Sequence, residues 1–173
     1  MQLKLKDRPD GWKGESTEPR PLRGRAPSPS LQYMQQRDYL LRQIEALGRI
    51  LSRLREMITG GATTVAKSEL QAEMRNVGLE LAMANSLDPA TLLMLLGGPK
   101  LDERRAFAVG ALLHMDGLRA QADGDAAWAA RSFRAAETVL RAARQQLDPD
   151  RAAVADQLLA EIREVSASRA AGS

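Results

Sequence analysis

Few residues of this 173-residue chain have the type and spacing that catalysis requires, and the first candidate is the single histidine. An imidazole can act as a general acid or base near neutral pH. His114 stands between Leu113 and Met115 in an apolar stretch, where a structural role is the more common one. The sequence motifs of zinc proteases, serine hydrolases, P-loops and dinucleotide-binding sites are absent. The sequence therefore predicts a protein that is not an enzyme and that uses no cofactor.

Paired carboxylates are the second group of candidates. Asp123 and Asp125 flank Gly124, but a calcium loop needs further alternating ligands and a closing glutamate, which this turn lacks. The absence of cysteine removes disulfides and sulfur-based zinc sites. Acidic side chains directly before a helix satisfy free backbone NH groups and favour the helix dipole. We therefore predict helix caps and no metal site for two further pairs: Asp102 with Glu103, and Asp148 with Asp150.

Arginines recur on two predicted helices and raise the question of nucleic-acid binding. Acidic residues are interspersed elsewhere in the chain, and aromatic residues make up only 3% of it, so a base-stacking platform is not indicated. A solvated helix face is the favoured interpretation, and contact with an acidic protein surface or anionic lipid headgroups stays open. The residues concerned are Arg49, Arg53 and Arg55, and Arg131, Arg134, Arg141 and Arg144.

The first thirty residues differ in composition from the rest of the chain. They contain seven basic and four acidic residues, so their net charge of +3 equals that of the whole chain, and they hold five of its eight prolines. Such a segment buries too little apolar surface to offset its ordering entropy, which predicts an extended arm without regular structure over residues 1–30. The alternative is a solvated tail with an incidental tryptophan. If the arm binds a partner, Trp12 is the best anchor, and the candidate partner-binding residues are Leu3, Leu5, Trp12, Arg20, Leu22, Arg23 and Arg25.

From residue 31 onward, apolar residues recur at helical spacing and strand-like alternation is absent. The sequence therefore predicts an all-α domain over residues 31–167. Thr63 or Thr64 and Asp88 are expected to cap helices, and the helix after Asp88 is apolar almost all round, so we expect it to be buried. The predicted helices span about 31–59, 64–85, 89–96, 102–121, 125–146 and 149–167, and residues 168–173 are predicted to fray.

The fourth and fifth predicted helices follow the tetratricopeptide pattern, in which small residues let two antiparallel helices approach closely. Leu113 and Arg141 depart from it, since the repeat favours tryptophan and proline there. An ordinary helical hairpin is the alternative. The predicted fold is an array of antiparallel helical hairpins of tetratricopeptide-like form, and the residues at the repeat positions are Gly117, Ala120, Ala129, Phe133 and Ala136.

Residues 37–145 resemble a bacterial family of small all-helical proteins of uncharacterised function. The resemblance rests on RDYLLRQIEALG at 37–48, on NSLDPATLL at 85–93 and on the tetratricopeptide-like hairpin that follows. It implies a helical fold and no catalytic residue, and it does not include the arm.

These observations favour a structural or scaffolding subunit that docks on a larger protein assembly, with the arm strapping across neighbouring subunits. No transmembrane segment or secretory signal is visible in the sequence, so a cytoplasmic location is expected. A membrane-extrinsic position on the cytoplasmic face of a respiratory or photosynthetic complex is one compatible setting. The alternatives are a free tetratricopeptide-like adaptor that binds peptides and, more weakly, a nucleic-acid accessory protein. Homodimerisation through the first helix stays open.

Overall fold

The computed structural model describes residues 45–171, and this part of the chain is all-α, as the sequence predicts. It contains seven α-helices and a short 3₁₀ turn at Gly98–Lys100, with no strand between residues 45 and 171. The helices are α1 (residues 45–59), α2 (Thr63–Asn76), α3 (Leu81–Ser86), α4 (Pro89–Leu95), α5 (Glu103–Ala122), α6 (Ala126–Arg144) and α7 (Pro149–Ala171).

Helix α1 packs on the rest of the domain through its apolar seam. Leu54 and Ile58 are buried, and Leu47 and Leu51 lie against the core. The helix ends at residue 59, before Gly60 and Gly61. Gly61 has φ of +79°, the left-handed conformation in which glycine commonly ends a helix. Residues 31–44, which belong to the predicted first helix, lie outside the described range.

The structure differs from the prediction of one continuous helix over residues 64–85. Helix α2 ends at Asn76, and a separate helix α3 begins at Leu81. Gly78 lies between them with φ of +76°, a left-handed conformation that breaks the helical hydrogen bonding and that glycine adopts without strain. The start of α2 also differs, because Ala62 takes the N-cap position and no threonine side chain caps the helix.

Helix α4 begins as predicted, but it is not buried all round. The Asp88 side chain accepts hydrogen bonds from the backbone N–H groups of Ala90 and Thr91, each at 3.1 Å. Leu92 is buried, whereas Met94 is 69% exposed and Leu95 is 46% exposed. The expectation of a fully buried helix was wrong, because only one face of this short helix meets the core.

Helices α5 and α6 form an antiparallel hairpin at the centre of the domain. A Cβ atom built on Gly117 would meet Phe133, and one built on Gly110, seven residues earlier, would meet Leu140, seven residues later. The facing residues therefore run in opposite directions along the two helices. Helix α5 also packs against α2 and α7, and α6 packs against α3, α4 and α7. As a result, the middle of α5 is enclosed on most of its surface.

Helix α7 closes the domain against α5 and α6. Leu158 and Ile162 are buried, whereas Val154, one turn before Leu158, is 36% exposed. The helix continues to Ala171, past the predicted end at residue 167. Within residues 45–171, no helix has the length and hydropathy needed to cross a bilayer.

Candidate functional site

A buried carboxylate, Asp116, lies at the centre of the α5–α6 hairpin with none of its surface exposed. Its Oδ2 atom accepts hydrogen bonds from Asn85 Nδ2 at 2.8 Å, Trp128 Nε1 at 2.6 Å and Ser132 Oγ at 2.9 Å. Its Oδ1 atom accepts from Arg119 Nε at 2.9 Å. These donors come from α3, α5 and α6, so one side chain joins three helices.

The Asp116 carboxylate is saturated by protein donors. A buried charge is tolerated when it is paired and hydrogen-bonded, and Arg119, itself almost fully buried, supplies the opposite charge. The Arg119 guanidinium also binds Asp123 Oδ2 at 2.5 Å, which extends the network to the turn after α5. Because both oxygens are occupied and enclosed, this arrangement holds helices together and leaves no acceptor for a substrate.

Trp128 connects the buried network to the surface. Its indole N–H points to Asp116, while the guanidinium carbon of Arg131 lies 5.3 Å from the centroid of its ring. That distance is within the range of a cation–π interaction. Trp128 is therefore a packing residue with one polar contact inside and one cationic contact outside.

His114 is the second buried polar side chain on α5. It is fully enclosed, its ring centroid lies 5.9 Å from that of Phe133, and neither ring nitrogen has a hydrogen-bond partner. Burial lowers the pKa of His114 from 6.5 to about 4, although the Glu161 carboxylate 3.5 Å from Nε2 raises it and Arg55 lowers it further. The imidazole is therefore neutral at pH 7 and out of reach of solvent, a state unsuited to proton exchange with a bound substrate.

The five residues at the predicted repeat positions are all buried: Gly117 and Ala120 on α5, and Ala129, Phe133 and Ala136 on α6. Of these, Gly117 lies directly against the Phe133 ring. The close approach at Gly117 is the contact that small residues at these positions are expected to permit.

The turn between α5 and α6 uses its carboxylates for local structure. Asp123 pairs with Arg119, and the Asp125 side chain accepts a hydrogen bond from the Trp128 backbone N–H at 2.9 Å. Elsewhere, Asp102 caps α5 and Asp148 accepts from the first turn of α7. Over the described range, no group of three or more histidine or carboxylate side chains is placed to hold a metal ion.

Most arginines of the two predicted clusters have partners within the domain. Arg53 pairs with Glu69, and Arg55 pairs with Glu161 at 2.5 Å. On α6, Arg141 pairs with Glu137 at 2.6 Å and Arg144 forms two hydrogen bonds to Asp156, while Arg131 lies over Trp128. Charges engaged in this way present a weaker cationic field than a free basic face.

The candidate partner-binding residues of the arm lie outside the described range, so the structure places none of them: Leu3, Leu5, Trp12, Arg20, Leu22, Arg23 and Arg25. Comparisons with protein-family models, curated proteins and solved structures found no match to this chain. The resemblance to a bacterial helical family stays a prediction.

Sequence reasoning missed the Asp116 network. A signal for it was present, because Asn85, Asp116 and Ser132 are polar residues at positions that the helical pattern places inward. Each alone has an ordinary explanation as a surface residue, and the pattern does not show that α3, α5 and α6 bring them together.

Proposed function

We propose that this chain is a non-enzymatic structural subunit that docks on a larger protein assembly through α4 and through the arm at residues 1–30. The observation that carries the proposal is the exposure of Met94 and Leu95 on α4. Exposed apolar side chains that lie side by side are typical of protein contact sites, and methionine adapts readily to a partner surface. Met83, on the preceding helix α3, is also 40% exposed.

The distribution of chemistry in the domain supports a binding role. The polar side chains best suited to catalysis, His114 and Asp116, are fully buried, and Asp116 is saturated by its neighbours. The arm adds a reach on the order of 90 Å if its thirty residues are extended, enough to cross more than one neighbouring subunit. In this proposal, Trp12 and the segment 20–25 provide the arm's main contacts.

We further propose that the protein is located in the cytoplasm of a bacterium and belongs to the family that residues 37–145 resemble. A membrane-extrinsic position on a respiratory or photosynthetic complex fits a basic arm beside an anionic surface. Self-association through α1 is a further proposal, which light scattering across a concentration series tests directly.

Affinity purification from the native cell tests the docking proposal. The full chain should retain a defined partner, and both deletion of residues 1–30 and the double substitution Met94→Glu with Leu95→Glu should reduce its recovery. Val65→Glu is the matched control, because Val65 is 56% exposed but lies on α2. Undiminished recovery after deletion of the arm would contradict the strap, and undiminished recovery with the α4 variant would contradict the docking face.

The second candidate function is a free adaptor that captures peptides on the tetratricopeptide-like array. The register of α5 against α6, with Gly117 facing Phe133, favours it. An adaptor should keep its partner after deletion of the arm and lose it after substitutions on the helical face. A nucleic-acid accessory role is the weakest alternative, and it requires binding that falls steeply as salt is raised.

A further inference from the structure

A cavity of about 240 Å³ lies between α1, α2, α5 and the start of α7. Its wall is mostly apolar and includes Leu47 and Ile50 of α1 and Phe107 and Leu112 of α5. Two arginines, Arg104 and Arg151, also line it. An apolar cavity with a small number of charged groups is the usual composition of a small-molecule site.

Arg151 is the unusual residue of this cavity. It is only 5% exposed, and its side chain has one ionic contact, from Nε to Asp148 Oδ2 at 3.4 Å. Its two terminal nitrogens donate no hydrogen bond to any residue in the described part of the chain. A guanidinium carries five N–H donors. The Arg151 terminal nitrogens are not among the fully enclosed, unpartnered side-chain atoms of the described residues, which are Asn85 Oδ1 and the two ring nitrogens of His114. They are therefore open to an acceptor that enters the cavity.

The arginines of the described range that pair with a carboxylate outside this cavity do so more closely than Arg151. Arg104 is likewise held loosely, with Nε 3.8 Å from Glu103 Oε1. Charge-assisted hydrogen bonds between nitrogen and a carboxylate are normally about 2.7–2.9 Å long. Elsewhere in the described range, five arginines approach a carboxylate within 2.5–3.1 Å: Arg55, Arg75, Arg119, Arg141 and Arg144. Among the arginine–carboxylate contacts of the described range, those of Arg104 and Arg151 are the longest, and both residues line the cavity.

We propose that this cavity binds a small amphipathic monocarboxylate, with its head at Arg151 and Arg104 and a medium-length acyl chain against Leu47, Ile50, Phe107 and Leu112. The planar fork of an arginine matches a carboxylate in two-point contact. Glu73 also lines the cavity and accepts a hydrogen bond from Asn76. The wall therefore holds two arginines and one glutamate, and Asp148 and Glu103 lie 3.4 Å from Arg151 and 3.8 Å from Arg104.

The size of the cavity limits the ligand. Small-molecule sites commonly measure about 300–1,000 Å³, so a cavity of 240 Å³ suits a chain of medium length better than a long lipid. Each methylene that enters it should raise the affinity about fourfold. This site is separate from the proposed docking face on α4, since neither Met94 nor Leu95 lines it.

Isothermal titration of the full chain with sodium octanoate tests the site. We expect one octanoate per chain, weaker binding of hexanoate by about fourfold for each methylene removed, and little binding of 1-octanol. Arg151→Gln should weaken octanoate binding at least about tenfold, because a hydrogen-bonded charge pair is lost. Arg75→Gln is the matched control, since Arg75 is an exposed arginine that lies outside this cavity and should leave octanoate binding unchanged.

A second variant separates loss of the ligand contact from loss of the fold. Ala108 lines the cavity and is half-buried, so Ala108→Phe should fill it while both arginines stay in place. We expect Ala108→Phe to abolish octanoate binding and to keep the helical circular dichroism of the parent. Equal affinity for octanoate and 1-octanol, no heat at millimolar octanoate, or unchanged binding in a folded Ala108→Phe variant would each overturn the proposal.

Discussion

Gly117 on α5 packs directly against the ring of Phe133 on α6. A Cβ atom at position 117 would lie 2.6 Å from both Cδ1 and Cε1 of that ring. At Gly110, about two helical turns earlier on α5, a Cβ atom would lie 2.7 Å from Leu140 Cγ. Both distances are shorter than any non-bonded carbon contact, so the separation of the two helices depends on glycine at these positions.

We expect Gly117→Ala to destabilise the domain. Alanine is the better helix former by about 1 kcal/mol, but forcing a methyl group into the Phe133 ring should cost about 1–3 kcal/mol and displace α6. Urea unfolding followed by circular dichroism measures the net effect as a lower midpoint at unchanged slope.

Gly48→Ala is the control for this effect. Gly48 is a helical residue of α1, and apart from its chain neighbours and the helix's own backbone, no atom of a described residue lies within 4 Å of a built Cβ, so alanine should stabilise the domain by about 0.5–1 kcal/mol. Combining Gly117→Ala with Phe133→Leu should cost less than the sum of the single changes, because the clashing ring is gone. Equal effects of alanine at positions 48 and 117 would rule out the close approach.

The Asp116 network provides a second prediction. Trp128→Phe keeps the aromatic packing but removes the N–H that Asp116 accepts at 2.6 Å, so we expect a loss of about 1.5–3 kcal/mol. Asp116→Ala should cost about 3–5 kcal/mol, because the nearly buried Arg119 loses its charge partner. Urea unfolding of the two variants gives both values.

An exposed ion pair on α6 is the matched control for the network. Arg141→Gln removes the contact with Glu137 and should change the free energy of unfolding by no more than about 0.5 kcal/mol. If Trp128→Phe changes stability as little as Arg141→Gln, the indole hydrogen bond does not hold the helices.

Much of the helical architecture could be predicted from hydrophobic periodicity and caps. Asp88 and Asp102 accept the hydrogen bonds expected of N-caps, and the apolar seams of α5 and α6 are buried. The break at Gly78 was missed because a single glycine is tolerated within many helices, and the left-handed conformation there depends on tertiary contacts such as that of Arg105 with Val77 O at 2.8 Å.

The candidate sites were less accessible to sequence reasoning. One hydrogen bond of the Asp116 network joins Asn85 and Asp116, which are 31 positions apart, and the cavity beside Arg151 brings α1 next to α7. The spacing of residues within one helix does not show which residues of other helices the fold brings next to them. The exposure of α4 was missed for a related reason, since a helix that is apolar all round can be covered on only one face.

Gly78→Ala should destabilise the connection between α2 and α3. An L-residue at φ of +76° costs about 1–2 kcal/mol, and the new Cβ would lie 3.3 Å from Arg105 Nη2. Gly78→Asn should cost less than alanine, because asparagine tolerates the left-handed region better. Thermal unfolding of both variants provides the comparison, and a larger loss with asparagine than with alanine would show that the conformation is not the cause.

The stability of the domain should depend on the titration of His114. Burial holds the pKa of His114 at about 4, against 6.5 for an exposed imidazole. Between these values the unfolded chain binds more protons than the folded chain. Burial of the neutral imidazole therefore costs no stability above pH 6.5, and the free energy of unfolding falls as the pH falls from 6.5 toward 4. The loss over that window is roughly 3 kcal/mol. His114→Leu should remove this part of the pH dependence of urea unfolding.

His114 is the single histidine of the chain, so its ring protons can be assigned in an NMR titration without ambiguity. The folded protein should titrate near pH 4, and the same protein in urea should titrate near 6.5. The urea sample is the internal control, because it removes burial while leaving the sequence unchanged. A folded midpoint near 6.5 would mean that the Glu161 carboxylate, 3.5 Å from Nε2, compensates fully for the burial of the ring.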